Sequence, residues 1–449
     1  MSRIGVFLLA TMLVLPVIAQ EPEAHHVTAQ IATATTRPDA PSVLSISGVI
    51  SEALDKNPAV QSALHAVEAQ KHKVPQAKSL PDPEVSVGWM GNLEPFSVQE
   101  GDPSSYRGIG VMQSIPYPGK LKLRGDIASQ DVQMAQWDYE TVRRRVVADA
   151  KAAYYEYFFY DKALEITRKN KNLLQKLSSI SEARYRVGKA MQQDVLKSQV
   201  ETSLLLQKIT VLEQQRATAQ ARLNALMSRP PDSVLPPAAN VEPVALSEPL
   251  DDLYVAAKGQ DPGLQRELTT VKRNQLTTEL ARKDYRPDFA VAYMFEQRPM
   301  MPDMNGMTFT VNVPVFYKTK QREQVKQAQE EVISAERSRD NRANEVRFEI
   351  KQEYLAAQAA KQLLDLYTKA VVPQASLALE SSMSAYEVGN VDFLTMLANF
   401  TTVLNYEVDY YRELADYQTA LARMEPLVGM ELTSAKPLDS GSSAEKQKE

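Results

Sequence analysis

The sequence of 449 residues contains no cysteine, so no disulfide stabilises the fold and no cysteine is present to carry a lipid anchor. Histidine is scarce, with four in all, and His25 and His26 lie close to the N-terminus. The formal net charge is -5, and the sequence has no basic tract, which argues against nucleic acid as a partner. We find no glycine-rich phosphate loop, serine nucleophile motif or other catalytic constellation. The sequence therefore predicts a protein that is not an enzyme and that uses no cofactor.

Long apolar runs are also missing once the N-terminus is set aside. Residues 1–19 combine a charged start, an apolar stretch and a small-residue site ending at Ala19, which predicts a cleaved signal peptide. We expect residues 20–42 to be a flexible leader and residues 431–449 to be a disordered tail. No later stretch has the roughly 20 apolar residues that a membrane-spanning helix needs. Any membrane span must therefore consist of β-strands.

The sequence repeats itself at an offset of about 200 residues. Tyr185-Arg-Val-Gly188 matches Tyr386-Glu-Val-Gly389, and Asn57-Pro58 matches Asp261-Pro262. Each copy has the pattern of helix, strand, strand, very long helix, tight turn and helix. Self-similarity of this kind indicates the architecture before any single residue does.

Each repeat contains one very long predicted helix. Residues from Lys120 to about 187 lack proline and are rich in good helix formers, which favours one helix of about 100 Å. Residues 318–388 repeat this pattern, with a kink predicted at Pro373. Helices this long need neighbours alongside, as in a coiled coil. Shorter helices are predicted at about 43–78, 191–228, 249–284 and 392–428.

These segments divide the chain into three parts after the leader. We assign residues 43–229 to the first repeat and residues 249–430 to the second repeat. The proline-rich residues 230–248 between them are predicted to be an extended linker.

Four short segments alternate between apolar and small or polar residues. They predict strands at about 83–92, 106–115, 288–296 and 306–315. Strands of about ten residues with an apolar side facing outward are typical of a transmembrane β-barrel, although two amphipathic hairpins on a soluble domain would share the pattern. The residues expected to face lipid are Val87, Trp89, Val111, Val291, Tyr293, Phe309 and Val311.

Two details of these strands are also predicted. The second strand is expected to place Gln113 on the opposite face from Ile109 and Val111. An aromatic girdle is expected near the strand ends, formed by Trp89, Tyr106, Tyr117, Tyr293 and Tyr317.

A barrel cannot close with the four strands of one chain, and open sheet edges are not tolerated in lipid. Membrane-spanning strands would therefore require an oligomer. Two copies would supply eight strands and a filled interior, whereas three would supply twelve and leave room for a pore.

The residue pattern resembles the TolC-type outer-membrane efflux proteins over about residues 43–430. The resemblance rests on the order of the repeated units, on the two Tyr-x-Val-Gly turns and on the Val-Gly…Asp194-Val-Leu segment. The segment from Gln113 to Leu121, Gln-Ser-Ile-Pro-Tyr-Pro-Gly-Lys-Leu, is similar to the heavy-metal branch, the CusC/CzcC-like proteins.

The resemblance implies a mainly α fold with a transmembrane β-barrel, made of two helix–hairpin–helix repeats per chain. A homotrimer would form a 12-strand barrel in the outer membrane of a Gram-negative cell and an α-helical barrel in the periplasm. It would be a passive exit duct that docks to a periplasmic membrane-fusion adaptor and to an inner-membrane pump of the resistance-nodulation-division type.

The cargo implied by the resemblance is heavy-metal cations. A duct for drugs or organic solutes in the same family is the first alternative. A soluble periplasmic coiled-coil interaction protein, which belongs to a different class, is the second.

The resemblance also implies roles for the residues around the two turns. Adaptor docking would involve Tyr185, Val187, Gly188, Tyr386, Val388 and Gly389, although a plain helix hairpin turn needs the same glycines. The candidate gate residues are Asp194, Glu387, Asp392 and Thr395. The family often narrows the closed end with aspartates at positions that match Thr395 and Ala398 here, so this chain departs from the pattern. Asp392 either forms an acidic ring across three chains or caps a helix.

Four methionines lie in or beside the loop between the last two predicted strands. They are Met300, Met301, Met304 and Met307. Thioether sulfur suits soft cations such as Cu(I) and Ag(I), whereas apolar packing in the loop is the alternative interpretation. They are weak candidates for a metal site.

Overall fold

The computed structural model describes residues 43–91 and 98–434. The predicted signal peptide and leader lie outside these residues. Most of the predicted tail, residues 435–449, and residue 92 at the predicted end of the first strand also lie outside them.

Helices form most of both repeats in the described residues. The helices of the first repeat are α1 (Ile46–Lys56), α2 (Pro58–Lys78), α3 (Lys120–Arg186) and α4 (Gln192–Leu226). Those of the second repeat are α5 (Leu250–Gln260), α6 (Pro262–Lys283), α7 (Gln321–Leu366), α8 (Val372–Val388) and α9 (Phe393–Val428). None of the helices within residues 43–91 and 98–434 has both the length and the apolarity needed to cross a membrane.

The helices predicted at 43–78 and 249–284 are each broken in two, at Asn57 and at Asp261. The prediction of one continuous helix in each segment was therefore wrong. The carboxamide oxygen of Asn57 accepts a hydrogen bond from Ala59 N at 2.9 Å, and the Asp261 carboxylate accepts one from Leu264 N at 2.6 Å. Each cap precedes a proline in the first turn of the next helix. Proline disfavours helical backbone in the residue before it, so the repeated Asn/Asp–Pro pair ends one helix and begins another.

The second long helix changes geometry just before its proline. Residues Tyr367–Val371 form a π-helical turn between α7 and α8, and Pro373 lies in the first turn of α8. The missing N–H of Pro373 removes one α-helical hydrogen bond, and a π turn is one way in which a continuing helix accommodates such a loss.

The four described strands form one antiparallel sheet in the order β1-β2-β3-β4. They are β1 (Glu84–Met90), β2 (Tyr106–Ile115), β3 (Asp288–Gln297) and β4 (Met304–Asn312). The β2–β3 pairing joins the two repeats. Among the described residues, β1 and β4 each have one side without a partner strand.

The helices are arranged side by side in the same order as the strands. Far from the sheet, α3 packs between α4 and α9, and α9 also packs against α7 and α8. Close to the sheet, α3 packs between α2 and α6, and α6 packs against α7. One edge of each chain, which we call the first edge, is therefore formed by β1, α2 and α4. The opposite edge, the second edge, is formed by β4, α7 and α8.

The linker between the repeats lies against buried tyrosines near the middle of the long helices. The Tyr154 hydroxyl donates to Leu44 O at 3.0 Å and to Ala239 O of the linker at 3.5 Å, and the Tyr157 hydroxyl donates to Leu235 O at 3.3 Å. From α9, the Tyr417 hydroxyl donates to Val244 O at 2.6 Å. These bonds satisfy buried carbonyl groups and fix the extended linker to helices of both repeats.

Candidate functional site

The sheet carries its large apolar side chains on one face. Strand register aligns the odd-numbered residues, as in the rows Val85–Val111–Tyr293–Met307 and Ile115–Phe289–Val311. We call this side the apolar face, and it contains all seven residues named above as lipid-facing candidates. The side chain of Val87 is 81% exposed and that of Phe309 is 71% exposed, so the chain itself does not cover this face.

The even-numbered strand residues form the opposite side, which we call the small-residue face. They include Ser86, Gly88, Gly108, Gly110, Ala290, Ala292, Thr308 and Thr310. A Cβ atom on Gly110 would lie 2.7 Å from the Ser86 hydroxyl oxygen, so a larger residue here would force the Ser86 side chain to move. One face of the sheet is thus apolar and the other carries mainly small and polar residues, as in the wall of a barrel with a wet interior.

Two details predicted for the strands were wrong. Gln113 lies on the apolar face, because it is an even number of residues from Ile109 and Val111. Its amide donates to Pro81 O at 2.8 Å, which gives the polar group a partner. Tyr293 lies in the middle of β3 and not near its end, and its hydroxyl donates to Asn305 Oδ1 at 2.6 Å.

The two glycine turns have the same backbone geometry. Gly188 has φ of 73° and Gly389 has φ of 85°, both in the left-handed region that favours glycine. Gly188 N donates to Tyr185 O at 2.9 Å, and Gly389 N donates to Tyr386 O at 3.1 Å. The side chains of Val187 and Val388 are exposed at these turns. Each turn therefore presents an apolar side chain at the end of a long helix.

Arg184 holds the two turns together. Its guanidinium donates to the carbonyl oxygens of Tyr386 and Glu387 at 2.6 and 3.0 Å. Tyr386 is buried, and its hydroxyl lies 3.0 Å from the Ser181 hydroxyl on α3. Sequence analysis selected Tyr386 but missed Arg184, whose partners lie about 200 residues away.

Two of the candidate gate residues near these turns, Asp392 and Asp194, cap helices. The Asp392 carboxylate accepts a hydrogen bond from Thr395 N at 2.6 Å at the start of α9, and this bond lowers the pKa of Asp392 below its usual value. The Asp194 carboxylate accepts from Met191 N at 3.3 Å at the start of α4. Glu387 is exposed beside Gly389. Glu387, Asp392 and Thr395 lie within a few residues of the second glycine turn, and Asp194 lies within a few residues of the first.

Residues 49–229 match the family model described as outer membrane efflux protein. VceC from Vibrio cholerae is similar in structure, with a TM-score of 0.72 and 16% identity over 86% of this chain and 96% of VceC. The Campylobacter jejuni CmeC outer membrane channel has a TM-score of 0.72 and 14% identity, over 86% of this chain and 85% of CmeC. CusC has a TM-score of 0.69 and 15% identity, over 85% of this chain and 91% of CusC. The chain has the fold of the outer membrane efflux channels. No curated protein matches the sequence.

This efflux-channel fold confirms the predicted fold class of long helices with a small antiparallel sheet. The family model that residues 49–229 match describes outer membrane efflux proteins, which are passive channels and not enzymes. The TM-score of CusC is slightly below those of VceC and CmeC, and the three identities lie between 14% and 16%, so the fold does not distinguish the CusC-like branch.

Lys120, at the junction of sheet and helices, is a further residue that sequence analysis missed. Its ammonium is buried and lies 3.0 Å from carboxylate oxygens of both Asp284 and Asp288. Asp288 also accepts a hydrogen bond from Tyr117 N at 2.7 Å. Lys120 and Tyr117 belong to the Ile-Pro-Tyr-Pro-Gly-Lys segment of the first repeat, and the aspartates belong to the second. The segment thus links the start of α3 to the start of β3.

The four candidate methionines do not converge on one site. Met304 and Met307 lie on opposite faces of β4, and Met300 is 84% exposed in the loop before it. Across residues 43–91 and 98–434, no three His, Cys, Asp or Glu side chains are grouped as a metal site requires. The four candidate methionines therefore do not form a single metal site.

Proposed function

We propose that the protein is an outer-membrane channel that serves as the passive exit duct of a tripartite efflux system. It acts as a homotrimer and docks to a periplasmic membrane-fusion adaptor and an inner-membrane pump of the resistance-nodulation-division type. The observation that carries the proposal is the two-faced sheet, which has an uncovered apolar face and a small-residue face and which remains open at β1 and β4.

The two unpaired strand sides support assembly into a ring. The free backbone groups of β1 and β4 cannot remain unpaired in lipid. Pairing β4 of one copy with β1 of the next satisfies both sides and generates a closed barrel. Three copies supply twelve strands, which are enough to enclose a water-filled pore.

The helix edges support the same assembly. On the first edge, α4 exposes Leu196, Val200 and Leu204 at intervals of one helical turn. On the second edge, α7 and α8 expose Phe348 and Leu377, which are 67% and 65% exposed. Such apolar stripes along helices are usual at helix–helix contacts, and a neighbouring copy would cover them.

Aromatic residues delimit the proposed membrane band. Trp89 lies on the apolar face near one end of the β1–β2 hairpin, whereas Tyr106, which was also predicted for the girdle, lies on the small-residue face. Tyr117, Phe316 and Tyr317 lie beyond the other end, towards the helices. Aromatic belts of this kind occur at the two interfaces of transmembrane barrels. The helices would then extend into the periplasm, where the exposed Val187 and Val388 at the two turns would meet the adaptor.

We propose heavy-metal cations as the cargo. The Ile-Pro-Tyr-Pro-Gly-Lys segment offers little support, because Lys120 and Tyr117 are engaged at the junction with Asp288. The small-residue face supports this cargo better, since its methionines lie beside carboxylates.

Fractionation and pore measurements test the proposal. We expect the detergent-extracted protein to come from the outer membrane and to migrate, unboiled, near three times the monomer mass. In planar lipid bilayers the same species should form ion-conducting pores. A monomer recovered in a salt-washed soluble extract would instead support the soluble coiled-coil interaction protein and overturn the channel.

A further inference from the structure

Methionine is concentrated on the small-residue face of the sheet. The four described strands contain five methionines, and four of them, Met90, Met112, Met294 and Met304, have even numbers and share this face. Every Val, Ile and Phe of these strands lies on the apolar face, and the strands contain no Leu. The small-residue face of the strands therefore carries none of these four residue types. General hydrophobicity therefore does not explain the choice of methionine here.

Two of these methionines lie directly opposite a glutamate. Glu84 on β1 pairs with Met112 on β2, and Glu296 on β3 pairs with Met304 on β4. Directly opposed residues on one face have Cβ atoms about 4.5–5.5 Å apart, so a carboxylate and a thioether can share a ligand. The same pairing thus occurs once in the hairpin of each repeat.

The second pair has a third potential ligand nearby. Met294 precedes Glu296 by two residues on the same face of β3, and it is diagonal to Met304 across the β3–β4 pair. Diagonal neighbours are within reach of long side chains. Met294, Glu296 and Met304 therefore place two sulfurs and one carboxylate on one small patch, which we call the thioether patch.

Glycines leave the space around the thioether patch open. Gly108 lies opposite Glu296, and both Gly110 and Gly306 lie opposite Met294 on its two neighbouring strands. The side chains of Met294 and Met304 are 41% and 46% exposed. An ion that moves along this face can consequently reach the sulfur atoms.

We propose that the thioether patch is a transient binding site for soft monovalent cations of the Cu(I) or Ag(I) class. Thioether sulfur is a soft ligand that selects such ions, and the carboxylate adds attraction for positive charge. The inference rests on the proposed function, which makes the small-residue face the wall of the pore. Three copies would present three patches around the pore.

Weak and repeated sites suit a conduit. Conduction requires binding that is favourable enough for entry and weak enough for exit, which a few flexible side chains provide better than a closed ligand cage. Met112 with Glu84 on the neighbouring hairpin supplies a second, simpler site of the same chemistry.

Single-pore currents test the inference. The trimer is placed in a planar lipid bilayer in potassium nitrate, and silver nitrate is added as a soft cation without redox chemistry. We expect Ag(I) to reduce the current of the unaltered protein. Replacing both Met294 and Met304 with Leu, which conserves volume, should raise the Ag(I) concentration that halves the current by about tenfold or more. Glu296→Gln should shift it in the same direction.

Met307→Leu is the matched control, because Met307 lies on the apolar face of the same strand. It should leave the effect of Ag(I) unchanged. Pores that ignore Ag(I), or that respond equally in all variants, overturn the inference and leave the channel intact. If only bulky organic cations blocked the current, and the Met294, Met304 and Glu296 variants lost that block, the patch would bind organic solutes. That result would also overturn the inference of a soft-cation site. A protein that forms no pores overturns the proposed function and this inference together.

Discussion

The guanidinium of Arg184 in the first repeat donates a 2.6 Å hydrogen bond to the carbonyl oxygen of Tyr386 in the second repeat. The guanidinium carbon also lies 4.8 Å from the centre of the Tyr386 ring. The last carbonyls of a helix have no partner within the helix, so a cationic side chain from a neighbouring helix is a favourable hydrogen-bond donor to them. One side chain thus fastens the end of α8 to α3.

Replacing Arg184 with Ala should release the end of α8. Hydrogen bonds that involve a charged group contribute about 1.5–3 kcal/mol, and two are lost here. We expect faster hydrogen–deuterium exchange at the Gly389 and Asn390 amides, measured by mass spectrometry. Arg186→Ala is the control, since Arg186 pairs with Glu182 in an exposed contact one helical turn away. Equal exchange in the two variants would contradict a fastening role for Arg184.

Replacing Gly389 with Ala should destabilise the second turn. A non-glycine residue in the left-handed region costs about 1–2 kcal/mol. Gly259 provides the comparison, because it lies in α5 with nothing within 4 Å of an added Cβ, and Gly259→Ala should stabilise by about 0.5–1 kcal/mol. Thermal unfolding of the purified variants should show a lower melting temperature for Gly389→Ala and a higher one for Gly259→Ala. A stabilised Gly389→Ala variant would rule out the strained turn.

Local patterns predicted the elements of this fold well. Alternation along the strands placed Val87, Phe309 and Val311 on one face, because a strand has a strict two-residue period. The lack of proline between 120 and 186 predicted α3, since nothing in that stretch ends a helix. The broken helices show the opposite case. Asn57-Pro58 is itself a helix boundary signal, which the helical pattern on both sides obscured.

Contacts between the repeats could not be predicted from local patterns. Arg184 and Tyr386 are distant in sequence, as are Lys120 and Asp288, and no spacing rule links such pairs. The methionines illustrate the same limit. Met304 and Met307 are close in sequence and lie on opposite faces, whereas Met294 shares a face with Met304 through strand register. Register is a property of the paired strands and not of one segment.

Replacing Lys120 with Met should weaken the junction between the sheet and α3. The substitution leaves Asp284 and Asp288 without their shared cation. Breaking a buried ion pair costs about 3–5 kcal/mol, but both aspartates are partly exposed, so we expect about 1–3 kcal/mol. The temperature at which the unboiled oligomer dissociates on a gel measures the loss. Lys122→Met, at an exposed position two residues later, should leave that temperature unchanged, and equal losses would contradict the proposed junction.

Alkaline pH should loosen the linker between the repeats. Burial raises the pKa of both Tyr154 and Tyr157 from 10 to about 12. Because the folded pKa lies above the unfolded one, this stabilisation is present below pH 10 and is lost as the pH rises from 10 to 12. Stability against guanidinium, followed by circular dichroism across this range, should fall. Tyr154→Phe should reduce the dependence on pH, and an unchanged slope would show that this hydroxyl does not titrate with unfolding.

Replacing Phe309 with Arg should block assembly in the membrane, whereas Thr310→Arg should not. Phe309 lies mid-strand on the apolar face, opposite Val291, and Thr310 lies on the small-residue face. Charge on the lipid side of a barrel costs about 2–4 kcal/mol near the midplane, and three copies would each bear that cost. Charge on the pore side remains hydrated and should instead lower cation conductance.

The yield of heat-stable oligomer in outer-membrane fractions measures the first effect, and single-pore current measures the second. Equal yields from the two variants would mean that the apolar face does not contact lipid. A low yield from Thr310→Arg alone would reverse the assignment of the two faces. Both variants place the same arginine at adjacent positions of β4, so they share any effect on expression or strand propensity. A difference between them therefore reports which face carries the charge.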